Sequence, residues 1–127
     1  MDATSRKRFE IHPQAMKELR ACPDDVKDVF GSAILDVQYG DVPDGARPFG
    51  EGIDSRVWKL SEDHDGDTYR AAYTIALPGA VYVLHVFKKK SVRGSMTPRP
   101  VRELVRARLA WALHHHRTHY EEGYRER

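Results

Sequence analysis

The residues best suited to chemistry in this sequence are a run of cations that directly follows an apolar segment. Lys88, Lys89 and Lys90 come after the apolar residues 81–87, and Arg93 lies three positions further on. An apolar strand that delivers cations to one edge of a sheet is suited to holding a polyanion. Because like charges disfavour each other's protonation, one of these lysines can have a lowered pKa and act as a base.

Cleavage of RNA by its own 2′-hydroxyl is a reaction that such a cluster could catalyse without a metal. It needs a base at the hydroxyl, a cation at the phosphate and an acid for the leaving oxygen. The residues near this edge that offer these functions are Arg70, Tyr73, His85, Lys89, Lys90 and Arg93. The alternative, which spacing alone favours, is a solvated lysine run or a patch that holds phosphate without catalysis.

Alternation along the strands limits these candidates. Arg70 and Tyr73 point to opposite faces of a regular strand, unless a bulge intervenes, so Tyr73 belongs to the core if Arg70 faces a ligand. His85 shares its face with Val81 and Val83, which predicts a hydrogen-bonded core histidine rather than a catalytic one.

A small sheet is predicted to carry these residues. Three segments read as strands, namely residues 56–60, 68–77 and 81–88. The polar segment 61–67 contains Asp-Gly and Pro78-Gly79 joins the other pair, so we expect a three-stranded antiparallel meander. A short strand near Phe9 extends it, and residues 41–54, rich in proline and glycine, form an irregular loop.

Three helices complete the prediction, which is an α+β fold. Apolar residues at helical spacing predict one helix from Pro13 and a second from Pro23 to a stop at Gly40, joined as a hairpin that packs on the sheet. A long C-terminal helix covers 101–120. Its Arg108 falls within the apolar arc. The side chain there either snorkels to solvent or folds back toward the basic sheet edge.

Length and charge are consistent with one domain that has a local basic face. We expect residues 1–127 to form a single domain, with a mobile basic arm at 1–8 and a frayed tail at 121–127. The formal net charge is only +2, yet residues 88–108 hold eight Lys or Arg against one acid. A lone cysteine, the lack of a signal-peptide pattern and the lack of a long apolar run predict a cytoplasmic protein without membrane contact.

Two clusters invite a metal hypothesis that the spacing does not favour. His115 and His119 are four residues apart on a helix, but no acidic or cysteine partner has matching spacing, and a solvated histidine-rich helix end is the simpler interpretation. The acids at 63, 65 and 67 do not follow the calcium-loop register. We therefore expect neither a metal nor a cofactor.

Several segments together resemble the RelE/ParE toxin superfamily, and most closely its phage-derived, HigB-like branch of type II toxin–antitoxin systems. The segments are RVWKL (56–60), YRAAY (69–73), VLHVFKKKSVRGSMTP (83–98) and RARLAWA (106–112). The branch's pattern is a strand ending in Phe, a Lys-Lys-Ser/Thr step, a short basic loop, Thr-Pro and a helix with an Arg-Leu pair. The matching positions are Phe87, Lys89, Lys90, Ser91, Gly94, Thr97, Pro98, Arg108 and Leu109.

The resemblance implies a metal-independent endoribonuclease that degrades mRNA, commonly on the ribosome, and is neutralised by a helix-turn-helix antitoxin. By position it implies phosphate contact and proton transfer for Arg70 and Lys89, with support from Lys90. The residues that would hold the RNA backbone are Arg56, Lys88, Arg93 and Arg108.

Two other functions stay open on the same fold. One is a non-enzymatic poison of DNA gyrase, as on the ParE side of the superfamily, which would depend on the helical hairpin 13–40. The other is a degenerate toxin that only binds an antitoxin or RNA. The clustered Lys89 and Lys90 favour RNA over gyrase.

Overall fold

The computed structural model of the protein describes residues 5–89 and 96–122. Its elements in chain order are β1 (Arg8–Ile11), α1 (Pro13–Arg20), α2 (Asp24–Gln38), β2 (Arg47–Pro48), β3 (Val57–His64), β4 (Asp67–Thr74), β5 (Ala80–Lys89), α3 (Arg99–His116) and a short π-helix (Arg117–Glu122). The predicted α+β fold, with two N-terminal helices and a long C-terminal helix, is confirmed.

The five strands found in the described residues form one mixed sheet in the order β1-β5-β4-β3-β2. The predicted meander of β3, β4 and β5 is antiparallel, and β1 extends it as expected but runs parallel to β5. The predicted all-antiparallel sheet is therefore wrong in this one pair, because α1 and α2 lie between β1 and the rest of the sheet in the chain. The sequence also missed β2, which is only two residues long and contains a proline.

The hairpin between β3 and β4 is longer than its composition suggests. Its turn is Asp65-Gly66, and both residues have positive φ angles, 49° and 83°. Such a two-residue turn matches the twist of an antiparallel pair. The polar residues of the predicted turn, from Ser61 to His64, therefore continue β3, and Thr68 Oγ1 donates a hydrogen bond of 2.7 Å to Asp63 across the pair.

Helices cover both faces of the sheet. The core between α1, α2 and the sheet includes Val26, Phe30, Ile34, Val81 and Val83, and the core under α3 includes Tyr82, Leu84, Val105, Leu109 and Ala112. Because β5 contributes to both cores, it reads as an unbroken apolar run in the sequence.

Both chain ends contain regular structure within the described residues. Lys7 exchanges two hydrogen bonds with Gln38, of 2.9 and 2.8 Å, and Arg8 already belongs to β1. The predicted mobile arm at 1–8 therefore overlaps β1 at Arg8, and residues 1–4 lie outside the described residues. The π-helix includes Glu121, whereas the remainder of the predicted frayed tail, residues 123–127, also lies outside them.

Gly31 of α2 offers a test of how this helix is stabilised. A Cβ added at Gly31 meets no atom within 4 Å, and the residue does not need a positive φ. Glycine inside a helix costs roughly 0.5–1 kcal/mol relative to alanine. We expect Gly31→Ala to raise the free energy of unfolding in urea by about that amount. Gly66→Ala is the control, and it should destabilise the protein because Gly66 has a φ of 83°.

Candidate nucleic-acid interface

A β-bulge in β5 determines which side chains share a face of the sheet. Ala72 pairs with His85, whereas Tyr73 pairs with Val83, so Leu84 has no partner in β4. An extra residue in one strand reverses the facing of every residue beyond it. The second half of β5 therefore points its side chains opposite to what regular alternation predicts.

The bulge changes the predicted face of His85 but not those of Arg70 and Tyr73. Arg70 and Tyr73 lie on opposite faces as predicted, and Tyr73 is buried in the core under α1 and α2. His85 does not share the face of Val83, because the bulge falls between them. It is nevertheless a buried, hydrogen-bonded histidine, with Nδ1 2.8 Å from Oε1 of Glu18.

Four cations gather on the face of the sheet that α3 packs against, next to the β3–β4 hairpin. Lys89 pairs with Thr68 and Lys59 pairs with Ala72, which makes both lysines diagonal neighbours of Arg70. Diagonal neighbours on one face are about 7–8 Å apart, within reach of long side chains. Arg47 of β2 pairs directly with Lys59. We call this set, Arg47, Lys59, Arg70 and Lys89, the cationic face.

Lys59 is the member that the sequence analysis missed. Its side chain is 18% exposed, with Nζ 5.4 Å from the centre of the Phe49 ring and 4.0 Å from Oε2 of Glu51. Burial and then the charge of Arg70 lower the pKa of Lys59, against the opposing effect of Glu51. A single lysine in the apolar strand segment RVWKL was the available signal, since alternation places it on the same face as the buried Val57.

Arg70 lies between Lys59 and Lys89 on the cationic face. Within the part of the chain that the structure describes, its Nε is buried without a hydrogen-bond partner. Buried polar atoms are normally satisfied, so an unsatisfied donor among cations marks a place that favours an anionic ligand.

Glu51 fixes the chain beside the cationic face. Its Oε1 accepts the N–H of Thr97 at 2.6 Å, and its Oε2 accepts the hydroxyl of Thr97 at 2.8 Å. Burial raises the pKa of Glu51, but these hydrogen bonds and the charges of Lys59 and Arg70 outweigh burial, so the pKa is lowered. The Thr-Pro step thus anchors the start of α3 next to Lys59.

Comparison with known proteins shows where this chain belongs. The family described as phage derived protein Gp49-like (DUF891) matches residues 17–110, which is most of the chain. The chain belongs to this Gp49-like family. No curated protein matches it.

Two solved structures of the E. coli toxin RelE share the fold of this Gp49-like chain. The isolated toxin has a TM-score of 0.52 and 18% sequence identity, over 80% of this chain and 97% of that one. A mutant with two arginines replaced by alanine, in the free state, has a TM-score of 0.50 and 18% identity, over 64% of this chain and 81% of that one. The RelE-like fold is confirmed, while the placement in the RelE/ParE superfamily and in its HigB-like branch stays a prediction.

The other residues predicted to hold RNA in the Gp49-like chain are placed elsewhere or lie outside the described residues. Lys88 pairs with Tyr69 on the opposite face from Lys89, and its Nζ is 3.6 Å from Oδ2 of Asp67. Arg56 precedes β3 and donates two hydrogen bonds to the Asp54 carboxylate, of 3.0 and 2.9 Å. Lys90 and Arg93 lie outside the described residues.

Arg108 needs a correction, because it is an interior residue. It is only 6% exposed, and its Nη1 donates hydrogen bonds to Oε1 of Glu18 at 2.9 Å and to the carbonyl of Leu84 at 3.1 Å. The guanidinium neither snorkels to solvent nor lies on the cationic face. The prediction that Arg108 holds RNA is wrong for this reason, and the residue supports the sheet instead.

Two of the histidines at the end of α3 are packed against the sheet, whereas His114 is exposed. His116 is buried and donates from Nε2 to the carbonyl of Pro78 at 2.7 Å, while Nδ1 of His115 lies 2.7 Å from the hydroxyl of Tyr82. The interpretation of a solvated helix end is therefore wrong for these two residues. Within residues 5–89 and 96–122 no three His, Cys, Asp or Glu side chains are arranged to hold a metal ion. The helices described there are also too short or too polar to cross a membrane.

Proposed function

We propose that this protein is the toxin of a type II toxin–antitoxin system, and that it cleaves mRNA as a metal-independent endoribonuclease. The RelE-like fold and the Gp49-like family support the toxin assignment. The observation that carries the nuclease proposal is the buried Nε of Arg70, which has no hydrogen-bond partner among the described residues and lies between Lys59 and Lys89 on one face of the sheet. Such a face is suited to the phosphate backbone of a nucleic acid.

The cationic face offers each group that cleavage by the 2′-hydroxyl needs. Lys59, whose pKa is lowered, accepts the proton of the 2′-hydroxyl as its oxygen forms a bond to phosphorus. Arg70 stabilises the charge that develops on the phosphate oxygens. Lys89 donates a proton to the 5′-oxygen as its bond to phosphorus breaks. Lys90 and Arg93 remain candidates for supporting contacts.

In this proposal the protein inhibits translation in the cytoplasm, with a helix-turn-helix antitoxin as its partner. On the ribosome, other molecules would help to hold the mRNA. On free mRNA, the cationic face would have to hold the RNA by itself. A long footprint on free RNA would give a steep salt dependence of binding, since each neutralised phosphate releases counterions.

The competing function is a gyrase poison that acts without cleavage. The observation in its favour is a set of exposed apolar side chains, Val29 and Leu35 on α2 and Tyr39 directly after it. Exposed apolar residues on one helix are suited to contact with another protein. The same residues suit an antitoxin equally well, so they favour a protein partner without choosing between the two.

Two neighbouring lysines on opposite faces provide the test. We expect the wild-type protein, expressed from an inducible promoter, to arrest growth and to produce discrete new mRNA 5′ ends in primer extension. Lys89→Ala should reduce cleavage of RNA by roughly 100-fold, because it removes a group that acts in the transition state. Lys88→Ala should keep nearly full cleavage, since Lys88 lies on the other face.

Three results would contradict the proposal. Arrest with intact messages and an induced DNA-damage response would indicate the gyrase poison. Equal loss of cleavage in both lysine variants would show that the cationic face is not the site. Absence of both arrest and cleavage by the purified protein would indicate a degenerate toxin that only binds.

A further inference from the structure

The contact between the partly buried Glu18 and the buried Arg108 lies where β5 loses its neighbour β1. β1 ends at Ile11, which pairs with Val83, and the N–H of His12 donates to the carbonyl of Val83 at 3.0 Å. Beyond Val83, β5 has β4 on one side and no described strand on the other. The bulge at Leu84 falls at this point.

Two side chains take over the hydrogen bonds that a neighbouring strand would provide. The N–H of Val86 donates to Oε1 of Glu18 at 3.0 Å, and Nη1 of Arg108 donates to the carbonyl of Leu84 at 3.1 Å. The two side chains are joined to each other by the 2.9 Å contact between Arg108 Nη1 and Glu18 Oε1. The backbone is therefore held on both sides of His85, where the strand departs from regular alternation.

The facing of Lys89 depends on this departure. In a regular strand, residue 89 would share the face of Val81 and Val83, which pack against α1 and α2. With Leu84 as an extra residue, Lys89 lies instead on the face of Arg70. A shift of one residue in the second half of β5 would exchange Lys89 with Lys88.

We propose that Glu18 and Arg108 are positioning residues for the cationic face. They hold the Leu84 bulge, and the bulge turns Lys89 toward Arg70. The catalytic part of this inference rests on the proposed function, whereas the structural part does not. In this proposal the buried Arg108 positions the cationic face without touching the substrate.

The decisive variant removes both partners together. Replacing a buried ion pair with apolar residues of similar volume is often neutral for stability, whereas removing one partner leaves an uncompensated charge. We therefore combine Glu18→Leu with Arg108→Met. The folded double variant should cleave RNA roughly 100-fold more slowly, the cost of misplacing a reacting group by about 1 Å. The loss should appear in kcat more than in KM.

The matched control removes an exposed ion pair from α3, the helix that contains Arg108. Arg106 Nη1 lies 2.9 Å from Oε2 of Glu103. Glu103→Gln combined with Arg106→Met changes similar chemistry without touching β5. This control should cleave RNA at the wild-type rate.

Cysteine cross-linking reads the register without any activity. Thr68 and Lys89 are directly paired, so Thr68→Cys with Lys89→Cys should form a disulfide in a Cys22→Ala background. In the Glu18→Leu, Arg108→Met double variant this disulfide should decrease. The alternative disulfide between Thr68→Cys and Lys88→Cys should increase.

The outcomes separate the inference from the proposed function. An unchanged cross-linking pattern in the folded double variant overturns the inference, whatever the cleavage rate. A shifted pattern in a protein whose wild type never cleaves RNA supports the inference and refutes the nuclease. If the double variant does not fold, Glu18→Gln is compared with Glu18→Met. The glutamine keeps an acceptor for Val86 and should retain the native cross-link better, and equal behaviour of the two overturns the inference.

Discussion

Replacement of Arg70 with alanine is expected to reduce RNA cleavage by roughly 100- to 1,000-fold, the usual effect of removing one donor to a developing anion. The same change should leave the free energy of unfolding unchanged or raise it. Arg70 lowers the pKa of Lys59 by charge repulsion, and its buried Nε has no partner among the described residues. Substitution of a residue that destabilises the free protein but binds the ligand lowers activity without lowering stability.

Single-turnover cleavage and urea unfolding of Arg70→Ala measure the two effects separately. Arg20→Ala is the control, because Arg20 is exposed at the end of α1, away from the cationic face. It should change neither quantity by a large factor. Parallel losses of stability and activity in Arg70→Ala would instead mean that Arg70 supports the fold.

The sequence was sufficient for most of the architecture, because its patterns are local. Alternation, helical spacing and the Asp-Gly turn each report on neighbouring residues, and they predicted the three α-helices of the described residues and the meander. The parallel placement of β1 and the two-residue β2 depend on distant pairing, which no local pattern encodes.

The site was predicted less completely, for two physical reasons. The bulge at Leu84 cannot be recognised from alternation, because it is held by Glu18 and Arg108 from distant parts of the chain. This error placed His85 on the wrong face. Lys59 was missed because its lowered pKa arises from burial and from Arg70 on the next strand, not from a neighbouring charge in the sequence.

Acid should unfold this protein partly through Glu18. Burial raises the pKa of Glu18, but hydrogen bonds from His85, Arg108 and the Val86 N–H outweigh burial and lower it from 4.5 to about 2. A carboxyl whose pKa is lower in the folded state stabilises the fold above its unfolded pKa and loses that effect as the pH falls. Stability from this group is therefore complete above about pH 4.5 and lost toward about pH 2, amounting to roughly 3 kcal/mol.

Urea unfolding of Glu18→Gln at several pH values measures this contribution. The variant should be less stable than the wild type at neutral pH, and the difference should shrink as the pH falls from 4.5 toward 2. His12 also has a lowered pKa, chiefly through burial, but its ordinary value is 6.5, so its effect begins at higher pH.

Asp54 is the control, since Arg56 lowers its pKa to about 2 as well, in an exposed position. Asp54→Asn should change stability much less because solvent screens an exposed pair. Equal effects of the two substitutions would mean that Glu18 gains no extra stability from its partly buried contacts.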